Sequence, residues 1–340
     1  MSDIVPTIDM SGWVRSGARR QLIATEFDDA CRRIGFVQIV GHGLDPALCA
    51  ELRRVAAAFF DRPMAEKLRV RPPNAEVNRG YAPEGSESLA YSLGVDAPPD
   101  LFEAFNIGVG TPPRPSDDPV AFAPNIWPDQ PIELRAVFEE YFAAADALAH
   151  QLTTVAAVAL DLDADFFVDK TDCSVNVLRA NNYRRRAGAP AAAVNQMRMG
   201  AHTDYGILTV LLADAVPGLQ IVGPDGAWHD VLPLTEGVVV NLGDAISIWT
   251  NDRWRSTLHR VVPPPPGPDE ARRRSFAFFH DGNTDAVMSC LPSCCSDDDP
   301  ARYAPLTLGE HVRGKLLGPR TLRQSQATQT VGDRHGAVGG

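Results

Sequence analysis

The sequence predicts a mainly β fold, a barrel or jelly roll, carrying a layer of helices. Three observations predict it. From about Val175 onward, short β-prone runs follow one another, separated by turn residues. Before that point the texture is mixed, with two helical stretches around one short strand. Between the halves, Pro131 to Leu160 reads as a long helix bearing Leu134, Phe138, Tyr141, Phe142 and Leu148.

The elements follow in order. Arg19 to Arg33 has helical apolar spacing through Leu22, Phe27 and Ala30. Phe36–Val40 is a β-prone run closed by Gly41-His42-Gly43. Asp45-Pro46 opens a helix, with Asp as N-cap and Pro in the first helical position. That helix carries Leu48, Leu52, Val55, Phe59 and Phe60 and stops near Pro63. Residues 71–100 and 112–131 read as loop, rich in Gly, Pro, Ser and Asn or in Pro. The later strands are Val175–Tyr183, Ile207–Leu212, Leu219–Val222, Val238–Leu242, Ala245–Trp249, Leu258–Val262 and Ser275–His280. Asp225-Gly226 favours a type I′ hairpin turn between two of them. This divides the chain into a mixed region 1–170, a β core 171–322 and a flexible tail 323–340.

With 340 residues, 44% of them apolar, the chain can bury a sizeable core. A net charge of −11 argues against nucleic acid or an anionic membrane as partner. The N-terminus has no basic and apolar signal pattern, and the alanine-rich stretch 143–160 is interrupted by Asp146, His150 and Gln151. Six irregularly spaced cysteines fit reduced thiols; the group Cys290, Cys294 and Cys295 lacks a second pair at zinc-site spacing. The expectation is a cytoplasmic protein, a monomer or weak homodimer, with a small-molecule partner.

Chemistry concentrates in a few polar positions. His202 and Asp204 stand one residue apart, and His259 follows on another β run. On an extended segment, residues two apart share a face, so both side chains can reach one ion. Two imidazoles and one carboxylate are the ligand set of the facial triad that holds iron(II) and leaves positions open. His-X-Asp alone is weak, because a half-buried histidine followed by a turn aspartate gives the same pattern. Arg273 and Ser275 add a forked donor and a hydroxyl at the same two-residue phase. Asn181 and Tyr183 add an amide and a phenol. Arg272 and Arg274 flank Arg273, and the spacing to Ser275 selects Arg273 as the inward one.

These motifs resemble those of the isopenicillin N synthase-like branch of the iron(II), 2-oxoglutarate-dependent oxygenases. The likeness extends to Val5-Pro-Thr-Ile-Asp-Met, to Ala30–Gly43, to Phe59-Phe60 with Glu66-Lys67, to Gly80-Tyr81 and to Asp100–Gly108. It covers roughly residues 5 to 315. The resemblance implies a double-stranded β-helix (jelly roll) with an N-terminal α/β segment and a long supporting helix. It implies iron bound by His202, Asp204 and His259. It implies that Arg273 pairs with the distal carboxylate of 2-oxoglutarate, aided by Ser275, Tyr183 and Asn181. Dioxygen is then consumed and succinate and carbon dioxide released, with hydroxylation of a small molecule as the main expectation and desaturation or ring closure as variants. A carboxylate at 204 favours oxygen transfer over halogenation.

Candidate substrate-pocket residues by family position are Tyr81, Phe102, Phe105, Phe279 and Asn283, and the substrate class expected by analogy is a secondary metabolite or amino-acid derivative. Where relatives have proline after the tyrosine, this chain has Arg184-Arg185-Arg186, either a solvated charged loop or a receptor for an acidic substrate group. The family pattern and the flanking glycines make His42 a structural turn residue, His229 and His280 are not in ligand phase, and Asp214 and Asp244 read as loop or turn carboxylates. Two rival readings stay open: an iron oxidase of the same family that does not use 2-oxoglutarate, and a non-catalytic jelly-roll binding protein.

Overall fold

A computed structural model describes residues 4–13, 17–74, 76–95, 97–110, 114, 120–265 and 270–315. The first part of the chain forms β1 (Thr7–Asp9), α1 (Gly17–Arg33), β2 (Phe36–Val40), α2 (Pro46–Phe60), α3 (Met64–Lys67), β3 (Gly80–Ala82) and β4 (Glu103–Gly108). Then come the long α4 (Leu134–Ala159), α5 (Val168–Thr171), β5 (Val177–Arg185), β6 (Met199–His202), β7 (Leu208–Ala213), β8 (Leu219–Val222), β9 (Trp228–Asp230) and β10 (Val238–Leu242). After these come α6 (Asp244–Trp249), β11 (His259–Val261), β12 (Ala271–His280), β13 (Val287–Met288) and β14 (Leu306–Thr307).

Two sheets make the jelly roll. The larger has the order β1-β2-β10-β7-β12-β5-β4-β3, and the smaller β6-β11-β8-β9. Among the described residues only β1 and β2 pair in parallel; the other neighbours are antiparallel. Strand alternation gives the larger sheet two different faces. On β12, Phe276 and Phe278 join a core with Phe27 of α1, Leu52 and Phe59 of α2, and Phe138 and Leu152 of α4. The residues between them, Arg273, Ser275, Ala277 and Phe279, face a cavity shared with the smaller sheet.

Local sequence accounts for the supporting elements. Asp45 caps α2 by accepting from the Ala47 N–H at 2.8 Å, with Pro46 in the first turn. Gly35 joins α1 to β2 at φ +65, and a Cβ there would stand 2.0 Å from the Arg255 carbonyl oxygen. Helix α4 is long and apolar enough to cross a bilayer by composition alone. Its apolar stripe, including Phe138, Tyr141, Leu148, Leu152 and Val155, is instead buried in the main core.

Several expectations need correction. Ala245–Trp249 is helix, not strand: it lies within α6, with Ala245 through Trp249 buried. A short apolar run buried on all sides carries no period that separates the two. Leu22 points outward at 48% exposure, while Ile23, Ala24 and Phe27 form the buried stripe of α1. Strand β4 lies just past a loop-like stretch, with all six residues buried. The 1–170 region meets the barrel through strand pairing, with β2 beside β10 and β4 beside β5. The expected tail 323–340 lies outside the described residues.

One buried network joins the mixed region to the barrel. Lys67 Nζ donates to Glu103 Oε2 at 2.6 Å and to the Phe60 carbonyl at 2.9 Å. The Tyr81 hydroxyl and Asn182 Nδ2 donate to the same Glu103 carboxylate, at 2.5 and 2.7 Å. Removing one partner of such a pair strands a buried charge. Lys67→Met should lower unfolding free energy by about 3 kcal/mol, and adding Glu103→Gln should recover part of the loss. Urea denaturation of the two variants checks this.

Candidate metal centre

The smaller sheet brings the two histidines together. Strand β11 pairs with β6 so that His259 lies directly opposite His202. The rings stand 4.3 Å apart between centroids. Asp204 follows β6 by two residues and turns its carboxylate toward them. Its Oδ1 is 3.7 Å from His202 Nε2 and 3.7 Å from His259 Nε2. One ligand atom from each residue lies within 4.8 Å of the others, and all three residues are buried.

The surroundings fix which atoms face inward. His202 Nδ1 donates to the Gly200 carbonyl at 2.8 Å, and His259 Nδ1 to the Thr257 carbonyl at 3.0 Å. Both rings therefore turn Nε2, the nitrogen left free to ligate, toward the cluster. The Asp204 carboxylate is divided in the same way. Its Oδ2 accepts from Thr209 Oγ1 at 2.5 Å and Asn241 Nδ2 at 2.6 Å, leaving Oδ1 for the centre. Burial and the neighbouring His259 push His202 down to about 4, against the pull of Asp204. Burial works to raise the Asp204 carboxyl, but the two imidazoles and the Thr209 and Asn241 hydrogen bonds outweigh it. Two imidazoles and a carboxylate are the donor set that a ferrous ion takes.

A second cluster sits on the larger sheet. Strand β12 pairs with β5 so that Arg273 opposes Tyr183 and Ser275 opposes Asn181. Asn181 Nδ2 donates to Ser275 Oγ at 3.3 Å, and the Arg273 guanidinium lies 5.3 Å over the Tyr183 ring. Arg273 is 1% exposed, and among the described residues its Nε and Nη2 have no hydrogen-bond partner. A buried guanidinium with idle donors is a receptor for an anion. Of the three adjacent arginines, Arg273 alone lines the cavity. Arg272 pairs with Asp61, and Arg274 with Asp214. Arg184 is also answered, by Asp61 and Glu270 at 2.9 Å each, so it belongs to a surface ion-pair network.

Both clusters open onto one cavity of about 610 Å³, within the range of small-molecule sites. The 3-10 turn Leu89–Leu93 brings Leu89 and Tyr91 to its wall. Asp100 pins this turn to the metal-bearing strand, accepting from the Leu89 N–H at 2.9 Å and the Gly200 N–H at 3.0 Å. Asp244, read from sequence as a turn residue, accepts from Thr203 and Ser256 and pairs with Lys315.

The substrate-pocket expectations divide. Phe279 and Tyr81 line the cavity, although the Tyr81 hydroxyl is spent on Glu103. Phe102, Phe105 and Asn283 do not reach it. Phe102 packs behind Tyr183, with ring centroids 5.9 Å apart. Phe105 points to the helix side of β4, against Phe59, Trp127 and Phe138. Asn283 braces the 169–173 turn through the Cys173 N–H, the Asp169 carbonyl and Asp172 Oδ1. Sequence reasoning missed Thr209, Asn241 and Arg179. Asn241 had a signal, as the lone polar residue in the buried run Val-Val-Val-Asn-Leu.

A model described as the 2OG-Fe(II) oxygenase superfamily matches residues 175–282. A second, described as non-haem dioxygenase in morphine synthesis N-terminal, matches residues 5–130. The chain is 34% identical over 317 residues to the 2-oxoglutarate-Fe(II) type oxidoreductase hxnY of Emericella nidulans, covering 91% of this chain and 88% of that one. It is 30% identical to the validamycin A dioxygenase of Streptomyces hygroscopicus subsp. limoneus, over 93% of this chain and 87% of that one. The crystal structure of full-length Neurospora crassa T7H with alpha-KG and thymine is similar at a TM-score of 0.80 and 28% identity, covering 92% of this chain and 96% of that one. The likeness runs through both halves of the chain and not the barrel alone, so the chain belongs to the 2OG-Fe(II) oxygenase superfamily, enzymes that use iron(II), 2-oxoglutarate and dioxygen.

Proposed function

We propose that this enzyme hydroxylates a small molecule, R–H, with 2-oxoglutarate and dioxygen giving R–OH, succinate and carbon dioxide. In this reading His202, Asp204 and His259 hold the iron, and Arg273 receives the distal carboxylate of 2-oxoglutarate with Ser275, Asn181 and Tyr183 around it. The observation that carries it is the pairing of two clusters in one cavity. At one side stand three converging metal donors; at the other stands a buried guanidinium with idle N–H groups. A diacid chelating a metal at one end needs an anchored cation at the other, and arginine supplies a fixed fork.

The bound iron supplies dioxygen activation, coupled to oxidation of the 2-oxo acid. The protein's own residues orient and seclude. Thr209 and Asn241 hold Asp204 in one rotamer. The Gly200 and Thr257 carbonyls hold the imidazole tautomers. The turn 89–93 and the aromatic walls limit water at the reacting carbon. A cavity of this volume holds 2-oxoglutarate and a compact second molecule together. The validamycin A relative supports a secondary metabolite as the substrate class.

Iron(II) and 2-oxoglutarate added without oxygen should give a visible charge-transfer band. With oxygen and substrate, about one succinate should form per dioxygen consumed. His202→Ala and Asp204→Ala should lose both the band and turnover. An active enzyme that forms no succinate would overturn the 2-oxoglutarate assignment. Arg273→Gln should keep its iron but need on the order of 100-fold more 2-oxoglutarate, as expected when a buried charge loses its partner. Thr209→Val should weaken iron binding by about 10- to 100-fold with the 2-oxoglutarate requirement nearly unchanged; metal titration checks it.

A further inference from the structure

Alternate residues of β12 face the cavity, and the row continues one step beyond the strand. Arg273, Ser275, Ala277, Phe279 and Asp281 all line the wall. The row starts with a guanidinium and ends with a carboxylate. The metal cluster lies toward the second end, because Phe279 pairs across the sheet with Thr209, the residue that holds Asp204. A 2-oxoglutarate running from Arg273 to the metal leaves the Asp281 end for the molecule to be oxidised.

Asp281 differs from the other carboxylates of this wall. Glu87 is taken by Arg179 at 2.8 Å, and Asp204 faces the two imidazoles. Among the described residues no donor or cation reaches the Asp281 carboxylate; its backbone N–H alone is bonded, to Asn176 Oδ1 at 3.1 Å. Burial pushes the group up to about 7, and Asp204 adds to the push. The fold makes room for it. A Cβ at Gly206 would stand 2.1 Å from Asp281 Oδ1, so any side chain there would displace the carboxylate. Tyr205, next to that glycine, and Phe279, two residues before Asp281, line the same cavity. A carboxylate beside aromatic rings is the chemistry that recognises an organic cation.

We infer that Asp281 is the substrate-recognition carboxylate of this enzyme and that the substrate carries a protonated nitrogen, as an amine or amidine, which Asp281 receives beside Tyr205 and Phe279. This rests on the oxygenase reading above. The ion pair forms in a space that solvent screens poorly, so the charge of the substrate decides affinity.

The test uses the full chain loaded with iron(II) and 2-oxoglutarate under argon, at mildly alkaline pH, where the carboxyl is ionised and the amine protonated. Calorimetry compares two probes of nearly equal shape, benzylammonium and benzyl alcohol. The ammonium should bind at least about ten-fold more tightly than the alcohol, the scale of one charge-assisted hydrogen bond. Asp281→Asn should erase that preference while keeping the visible band of the loaded protein. Asp281→Ala, which opens space instead of substituting an atom, should behave alike. Equal binding of the two probes, binding of neither, or a preference that survives both substitutions overturns the inference. A wild-type protein without the band overturns the oxygenase reading; a normal band without cation preference overturns the amine site alone.

Discussion

The division of one carboxylate governs this structure. Asp204 gives one oxygen to Thr209 and Asn241 and keeps the other for the space it shares with two imidazoles. Those imidazoles spend their Nδ1 protons on backbone carbonyls. The result is a buried group of lone pairs facing one another, which is unfavourable without a cation and well suited to one. Much of the fold serves this arrangement. Strands β6 and β11 set the histidines opposite each other, while β7 and β10 deliver the two hydrogen-bond donors.

Strand β12 gives the cavity its direction. The phenylalanines on one face anchor the strand in the helix-backed core, and the other face carries the polar row. A rigid strand with a packed back holds a guanidinium more closely than a loop could. Arg272 and Arg274, on the opposite phase, engage Asp61 and Asp214, so the three adjacent arginines do not compete for one position. Asp100 performs a similar task beside it, joining the 89–93 turn of the cavity wall to the metal-bearing strand.

What could be read in advance follows from periodicity. Arg273, Ser275, Asn181 and Tyr183 show themselves through two-residue phasing, and the register pairs them across β5 and β12. His202, Asp204 and His259 stand out because donor atoms of those types seldom share a spacing without cause. The aromatic candidates were less legible, since Phe105 and Phe279 look alike until register shows which face of each strand meets the cavity. Asn283 resembled a pocket residue, yet its amide is consumed by a turn distant in sequence. Ala245–Trp249 misled for a related reason: burial on every side removes the alternation that marks a strand. Asp281 escaped notice because a carboxylate past a strand end reads as a turn residue; its significance lies in a side chain with no partner among the described residues, which only three-dimensional neighbours reveal.

The most direct measurement is a crystal structure of the chain grown without oxygen in the presence of iron(II) and 2-oxoglutarate. The account requires the metal to be bonded by His202 Nε2, His259 Nε2 and Asp204 Oδ1, with the far carboxylate of the diacid on the Arg273 guanidinium. Iron held elsewhere, or a diacid that leaves Arg273 unpaired, would contradict it.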